Sequence, residues 1–118
     1  MWTKELFGTE KPIIALLHLD PLPGDPDFCG SLDTVIEHAS HDVKALQEGG
    51  VDGVLIANEF SFPMTYVSHS ETLMAMACVI GAIKKDIHVP FGTNVVMNPE
   101  ETIRMAKAVG ASFGRSAF

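Results

Sequence analysis

Basic residues are scarce in this 118-residue chain: eight lysines and arginines stand against fifteen aspartates and glutamates, a formal net charge of −7. Nucleic-acid binding needs clustered Lys and Arg to neutralise phosphates, so that class is set aside. A small anionic ligand is not excluded, because backbone N–H groups at helix N-termini hold anions without net positive charge. Cysteine is nearly absent too. Cys29 and Cys78 are far apart and make neither a disulfide framework nor a zinc ribbon. Cys78 lies in the apolar run 75–80 and is expected to be buried and inert. Hydrophobic residues make up 47%, yet no apolar run is long enough to span a bilayer. The start, Met1-Trp2-Thr3-Lys4-Glu5, lacks the basic-then-apolar pattern of a secretory signal, which makes a cytoplasmic protein the default expectation. There is no low-complexity segment, no close internal repeat, no P-loop and no nucleophile elbow. Glycines 49, 50 and 53 follow a helical pattern and precede a strand, the reverse of a dinucleotide-binding loop.

What is present is an alternation of strand-like and helix-like segments, read as one domain over residues 1–118. Residues 12–19 form a near-continuous apolar run, as a strand buried on both faces requires. The loop after it, 20–30, holds three prolines and two glycines and is long for a strand-to-helix connection, a length more often associated with function. A helix is predicted over 31–48, capped by Ser31, with Leu32, Val35, Ile36, Ala39, Val43 and Leu46 inward and Gly49-Gly50 ending it. A second strand follows at 51–57. A second helix is predicted over 69–86 with a capping box from Ser68 to Glu71 and a stripe of Leu73, Met76, Ala77, Ile80 and Ile83. The third strand is 89–96 and the third helix 99–109, introduced by Asn98-Pro99-Glu100-Glu101 with Asn98 as cap, and facing Ile103, Ala106 and Val109 inward. Residues 111–118 give the fourth strand, weakened by Gly114.

Right-handed crossovers make such strands parallel neighbours. The class is α/β, with barrel and open sheet both compatible with the pattern. Either architecture binds ligands at the C-terminal ends of its strands. The polar residues there are His18 and Asp20, Asn58 and Glu59, Thr93, Asn94 and Asn98, then Arg115 and Ser116. Ile14, Leu16 and His18 share one strand face, with Asp20 next on that side if the extended geometry persists. His18 is a candidate acid/base at neutral pH and Glu59 a candidate proton-transfer carboxylate. Asp20, Asn58 and Asn94 are candidate ligand-binding residues, and an amide such as that of Asn94 suits a hydroxyl or carbonyl. No metal site is expected: His-Leu-Asp is not a His-x-His pair, and His38 and His41 have spacing but no third ligand. No motif names a cofactor.

The segments Lys11-Pro-Ile-Ile-Ala-Leu-Leu-His18-Leu-Asp20-Pro-Leu-Pro-Gly24, Gly49-Gly-Val-Asp-Gly-Val-Leu-Ile-Ala-Asn58-Glu59 and Pro90-Phe-Gly-Thr-Asn94-Val resemble the BtpA/SgcQ family. The turn His-Leu-x-Pro-Leu-Pro-Gly is the most specific of them. The resemblance implies a (β/α)₈ barrel of the ribulose-phosphate-binding type, of which this chain carries the N-terminal half; a full barrel typically needs ~250 residues. It also implies either sugar metabolism or, as in photosynthetic members, a non-catalytic assembly role for a complex such as photosystem I. The expected ligand is a phosphosugar or polyol, and the half-barrel alone is expected to be inactive. Gly114-Arg115 stands where the family tends to have an apolar residue and then Arg, which puts the last strand in question. An arc of four strands leaves two unpaired edges and uncovered inner-face residues such as Leu16 and Ile56, so a homo-oligomer formed through those edges is expected.

Overall fold

A computed structural model describes residues 1–61 and 69–116. The chain opens with a short helix α1 (Trp2–Phe7) and then alternates β1 (Ile14–His18), α2 (Leu32–Glu48), β2 (Gly53–Ala57), α3 (Ser70–Ile83), β3 (Phe91–Asn94), α4 (Pro99–Val109) and β4 (Phe113–Gly114). A single 3₁₀ turn, Lys84–Asp86, prolongs α3. The four strands form one sheet in the order β1-β2-β3-β4, every pair parallel. This is an α/β half-barrel, the arc expected of four β/α units. Among the described residues no helix is long and apolar enough to cross a membrane.

The three long helices pack side by side over one face of the sheet. Leu17 of β1 and Val54 and Ile56 of β2 meet Val35, Ala39 and Val43 of α2, Met76, Val79, Ile80 and Ile83 of α3, and Met105 and Val109 of α4 in one core. Ser31 caps α2 as the sequence predicts, its Oγ accepting from the Thr34 N–H at 3.2 Å. At α3 the N-cap is His69, and the predicted capping-box partner Ser68 lies outside the described residues. Asn98 is the N-cap of α4, Pro99 stands at N1, and the cap's carbonyl accepts from the Thr102 N–H at 2.9 Å.

Four assignments of side chains to faces come out differently. Ile56 is fully buried under the helices; in its strand it is Leu55 that shares the open face with Leu16. A strand apolar on both faces gives no alternation from which to tell them apart. In α4 the inward stripe is Thr102, Met105 and Val109, which leaves Ile103 71% exposed. Thr102 can go inside because its hydroxyl is satisfied: Oγ1 accepts from the Val95 N–H at 2.9 Å and donates to the Asn98 carbonyl at 3.0 Å. Cys78 is exposed, since the buried stripe of α3 runs through Ala75, Met76, Val79 and Ile80 and turns position 78 outward. In the same helix Leu73 and Ala77 only flank the core, and Thr72 and Ala75 are buried instead.

The strands are shorter than their apolar runs, because pairing stops where partners run out: β4 has two residues, paired at Gly92↔Phe113 and Thr93↔Gly114. Helix α1 is not foreseen by periodicity. It ends at Gly8 in the left-handed conformation (φ 79°) and delivers Phe7 to the open face of the sheet at the N-terminal end of the strands. There Phe7 lies against Gly53, where a Cβ would come within 2.5 Å of the ring. Phe113 covers Gly92 in the same way, and the two rings meet edge-on at 5.5 Å.

Candidate functional site

Register decides which side chains share the open face at the C-terminal end. His18 pairs with Ala57 and Ala57 with Asn94, one transverse row at the last rung of the sheet. Residues in one row of a parallel sheet point to the same side, so His18 and Asn94 flank the small Ala57 about 10 Å apart, two strand spacings. Asn58 and Glu59 follow directly on β2, and Arg115 follows Gly114, its N–H donating to the Thr93 carbonyl at 3.1 Å. The strand ends named from sequence therefore gather at one rim.

Their side chains are engaged differently. His18 stands edge-on to Phe60 at 5.6 Å with the planes at 89°. Its Nε2 is shielded from solvent and has no hydrogen-bond partner among the described residues. The two rings, with Leu16, Leu17 and the α2 residues Asp42, Ala45 and Leu46, line a cleft of about 400 Å³. Asn58 is buried, and its Oδ1 accepts from the Val96 N–H at 2.8 Å, tying the end of β2 to the loop after β3. Its role in this structure is to hold that loop.

A second cleft of about 330 Å³ is lined by Glu59, Asn94, Val96, Met97, Arg115 and Ser116. Asn94 is buried and, with its amide oriented to satisfy both neighbours, donates from Nδ2 to the Arg115 carbonyl and accepts at Oδ1 from Arg115 Nη2, both at 3.0 Å. Met97 is the one non-glycine with positive φ among the described residues (φ 65°), a backbone state that costs about 1–3 kcal/mol and gathers at functional segments. Among the described residues no group of three or more His, Cys, Asp or Glu converges as a metal cage would.

Asp20 is not brought to His18. Leu19 still follows the strand, its N–H donating to the Ala57 carbonyl at 3.0 Å and its side chain in the core beside Leu17, and beyond it the Asp20 carboxylate meets His38 Nδ1 on α2 at 2.5 Å. His38, set aside from sequence as a metal ligand, is 60% exposed but has this partner. Phe60 and Arg115 are the residues that sequence reasoning left out of the site. Phe60 had no signal; Arg115 stood among the strand ends but was not singled out.

The loop 19–31 is built rather than merely long. Leu19 and Leu22 are buried in the core. The Asp25 carboxylate accepts from the Leu22 N–H at 2.7 Å and from the Ser61 hydroxyl at 2.6 Å, and Thr72 Oγ1 donates to the Pro23 carbonyl at 2.7 Å. The loop thus binds the end of β1 to the end of β2 and to α3, fixing the rim on which His18 and Glu59 stand.

Comparison with known proteins bears on what this rim belongs to. The family model for the BtpA family matches residues 9–118. A protein of the sgc region of Escherichia coli K12, SgcQ, is 48% identical over 119 residues, covering 99% of this chain and 44% of SgcQ. An uncharacterized protein of Pyrococcus furiosus is 37% identical, with 95% of this chain and 43% of the relative covered. The photosystem I biogenesis protein BtpA of Synechocystis is 35% identical, with 94% and 39% covered. The chain spans less than half the length of each of these relatives. A family model matched over nearly the whole chain, with relatives this similar along it, gives one conclusion: the chain belongs to the BtpA family.

Proposed function

We propose that this chain supplies one side of a small-molecule site, at the C-terminal rim of its strands, for a phosphosugar or related polyol. The observation that carries the reading is the register row His18–Ala57–Asn94, which aims an imidazole and an amide to the same open side beside Glu59. A gap of about 10 Å between the two functional strand ends suits a ligand of five or six heavy atoms in length. In this reading His18, whose Nε2 has no partner among the described residues, takes or gives a proton, and Glu59 is the second proton-transfer group. Asn94 orients a hydroxyl or carbonyl, while Asn58 acts by holding the loop. Asp20, paired with His38, contributes to the rim and not to the ligand. Four β/α units enclose one side of such a pocket, so binding rather than turnover is the expected property of this chain.

Saturation-transfer NMR against a panel of sugar phosphates and polyols tests this. A ligand should be found whose affinity falls at least tenfold in His18→Ala and measurably in Glu59→Gln. Hits indifferent to both substitutions would sink the reading. Self-association through the free edges of β1 and β4 belongs to the same proposal, because a second copy would close the pocket from the other side.

A further inference from the structure

The second cleft holds the guanidinium of Arg115, and a neutral side chain anchors it. Arg104, on α4, has two carboxylates: Glu100 at 3.5 Å and Glu101 at 2.6 Å. Arg115 has none within ion-pair distance among the described residues. Its guanidinium is held by the Oδ1 of Asn94, a neutral acceptor that is itself buried and fixed by a second bond to the Arg115 carbonyl. Neutral anchoring keeps the fork oriented and leaves its charge available, the state in which a guanidinium binds an oxyanion bidentately. This occurs in a chain of net charge −7, where carboxylates are plentiful, yet among the described residues none pairs with Arg115.

We infer that Arg115, positioned by Asn94, is the anion-recognition residue of the site and takes the phosphate or carboxylate group of the ligand in the cleft between the ends of β3 and β4. The inference rests on the small-molecule reading above and adds to it where the charged end lies. Glu59 lines the same cleft and would repel an anion placed beside it. The oxyanion therefore sits on the Arg115 and Ser116 side, and the hydroxyl-bearing end of the ligand is turned toward Glu59 and His18. That polarity selects ligands with one anionic group and a neutral polyol body over dianions charged at both ends.

The test follows the Arg115 Nε–Hε resonance and the backbone amides by NMR while the chain is titrated with inorganic phosphate, ribose 5-phosphate and ribose. Saturable shifts of Arg115 are expected with inorganic phosphate and ribose 5-phosphate and not with ribose. Arg115→Gln should weaken ribose 5-phosphate binding at least tenfold, and Arg115→Lys should retain part of it. Asn94→Asp sets a carboxylate against the guanidinium and gives up the bond donated to the Arg115 carbonyl, so it should abolish the response to phosphate by occupying the fork from within the protein. An unshifted Arg115 resonance, or equal affinity in Arg115→Gln, overturns the inference. If ribose 5-phosphate perturbs His18 and Glu59 but not Arg115, the small-molecule reading survives and this inference falls. If Arg115 responds while His18→Ala and Glu59→Gln change nothing, the anion site stands and the wider reading falls.

Discussion

Asn58 carries its side-chain oxygen from the end of β2 to the Val96 N–H, 2.8 Å away in the loop after β3. The bond is partly buried, so removing the acceptor leaves a donor that water reaches poorly. Asn58→Ala should cost about 1–3 kcal/mol in urea unfolding, and exchange of the Val96 amide should accelerate beyond what the global loss of stability explains. Exchange at Val96 that keeps pace with the other core amides would show that the loop is held by something else. The same residue shows how far sequence reading reaches at this scale. Which residues stand at the strand ends was legible, because polar residues interrupt or follow the apolar runs at His18, Asn58 and Asn94. What each side chain does there was not. Period-two alternation holds only while the chain is extended: it still carries Leu19 into the core on the side of Leu17, and it fails at Asp20, whose carboxylate meets His38. Arg115 acquires its meaning only from Asn94, a neighbour across the sheet that no local pattern announces.

The turn at Leu19-Asp20-Pro21-Leu22-Pro23-Gly24 is an element in its own right, and its sequence specificity has a physical cause. Leu19 and Leu22 fill the core, the Pro23 carbonyl receives Thr72, and Gly24 has φ 95° with Thr72 Oγ1 only 2.5 Å from where a Cβ would lie. Gly30 has a similar φ, 91°, with open space around it. Gly24→Ala should therefore cost about 2–4 kcal/mol, from the left-handed backbone and the broken Thr72 bond together. Gly30→Ala should cost about 1–2 kcal/mol from the backbone alone. Urea midpoints of the two variants measure the difference, and equal losses would mean that Thr72 and Pro23 do not lock the turn. Helices were the most legible elements: α2 and α4 fall where Ser31, Gly49, Pro99 and Gly110 set their ends. Phase within a helix was harder, since α4 carries two overlapping apolar stripes and a buried Thr102 chose between them. The six residues of α1 are too few for a period to show, and its purpose, delivering Phe7 to Gly53, lies across the sheet.

At the scale of the molecule, helices cover one face of the sheet and leave the other open, with β1 and β4 as unpaired edges among the described residues. Leu16 on that open face is 45% exposed and Ile13, just before β1, is 66% exposed. Parallel edges of this kind pair with other chains, and β4 of one copy beside β1 of another would continue the same parallel order around a two-fold axis. Opposing this is the charge of −7 on each copy, a repulsion that salt screens with a decay length of about 8–10 Å at physiological ionic strength. Sedimentation equilibrium should therefore show association that strengthens both with concentration and with added salt. Leu16→Lys places a charge on the open face beside the β1 edge, the device by which natural edge strands resist pairing, and should shift the chain toward monomer at every salt concentration. The lysine can extend into solvent in the monomer, so its circular dichroism should match that of the parent chain. A parent chain that stays monomeric at high salt and high concentration would show that α1 and the Phe7–Phe113 contact shield the open face well enough for a half-barrel to stand alone.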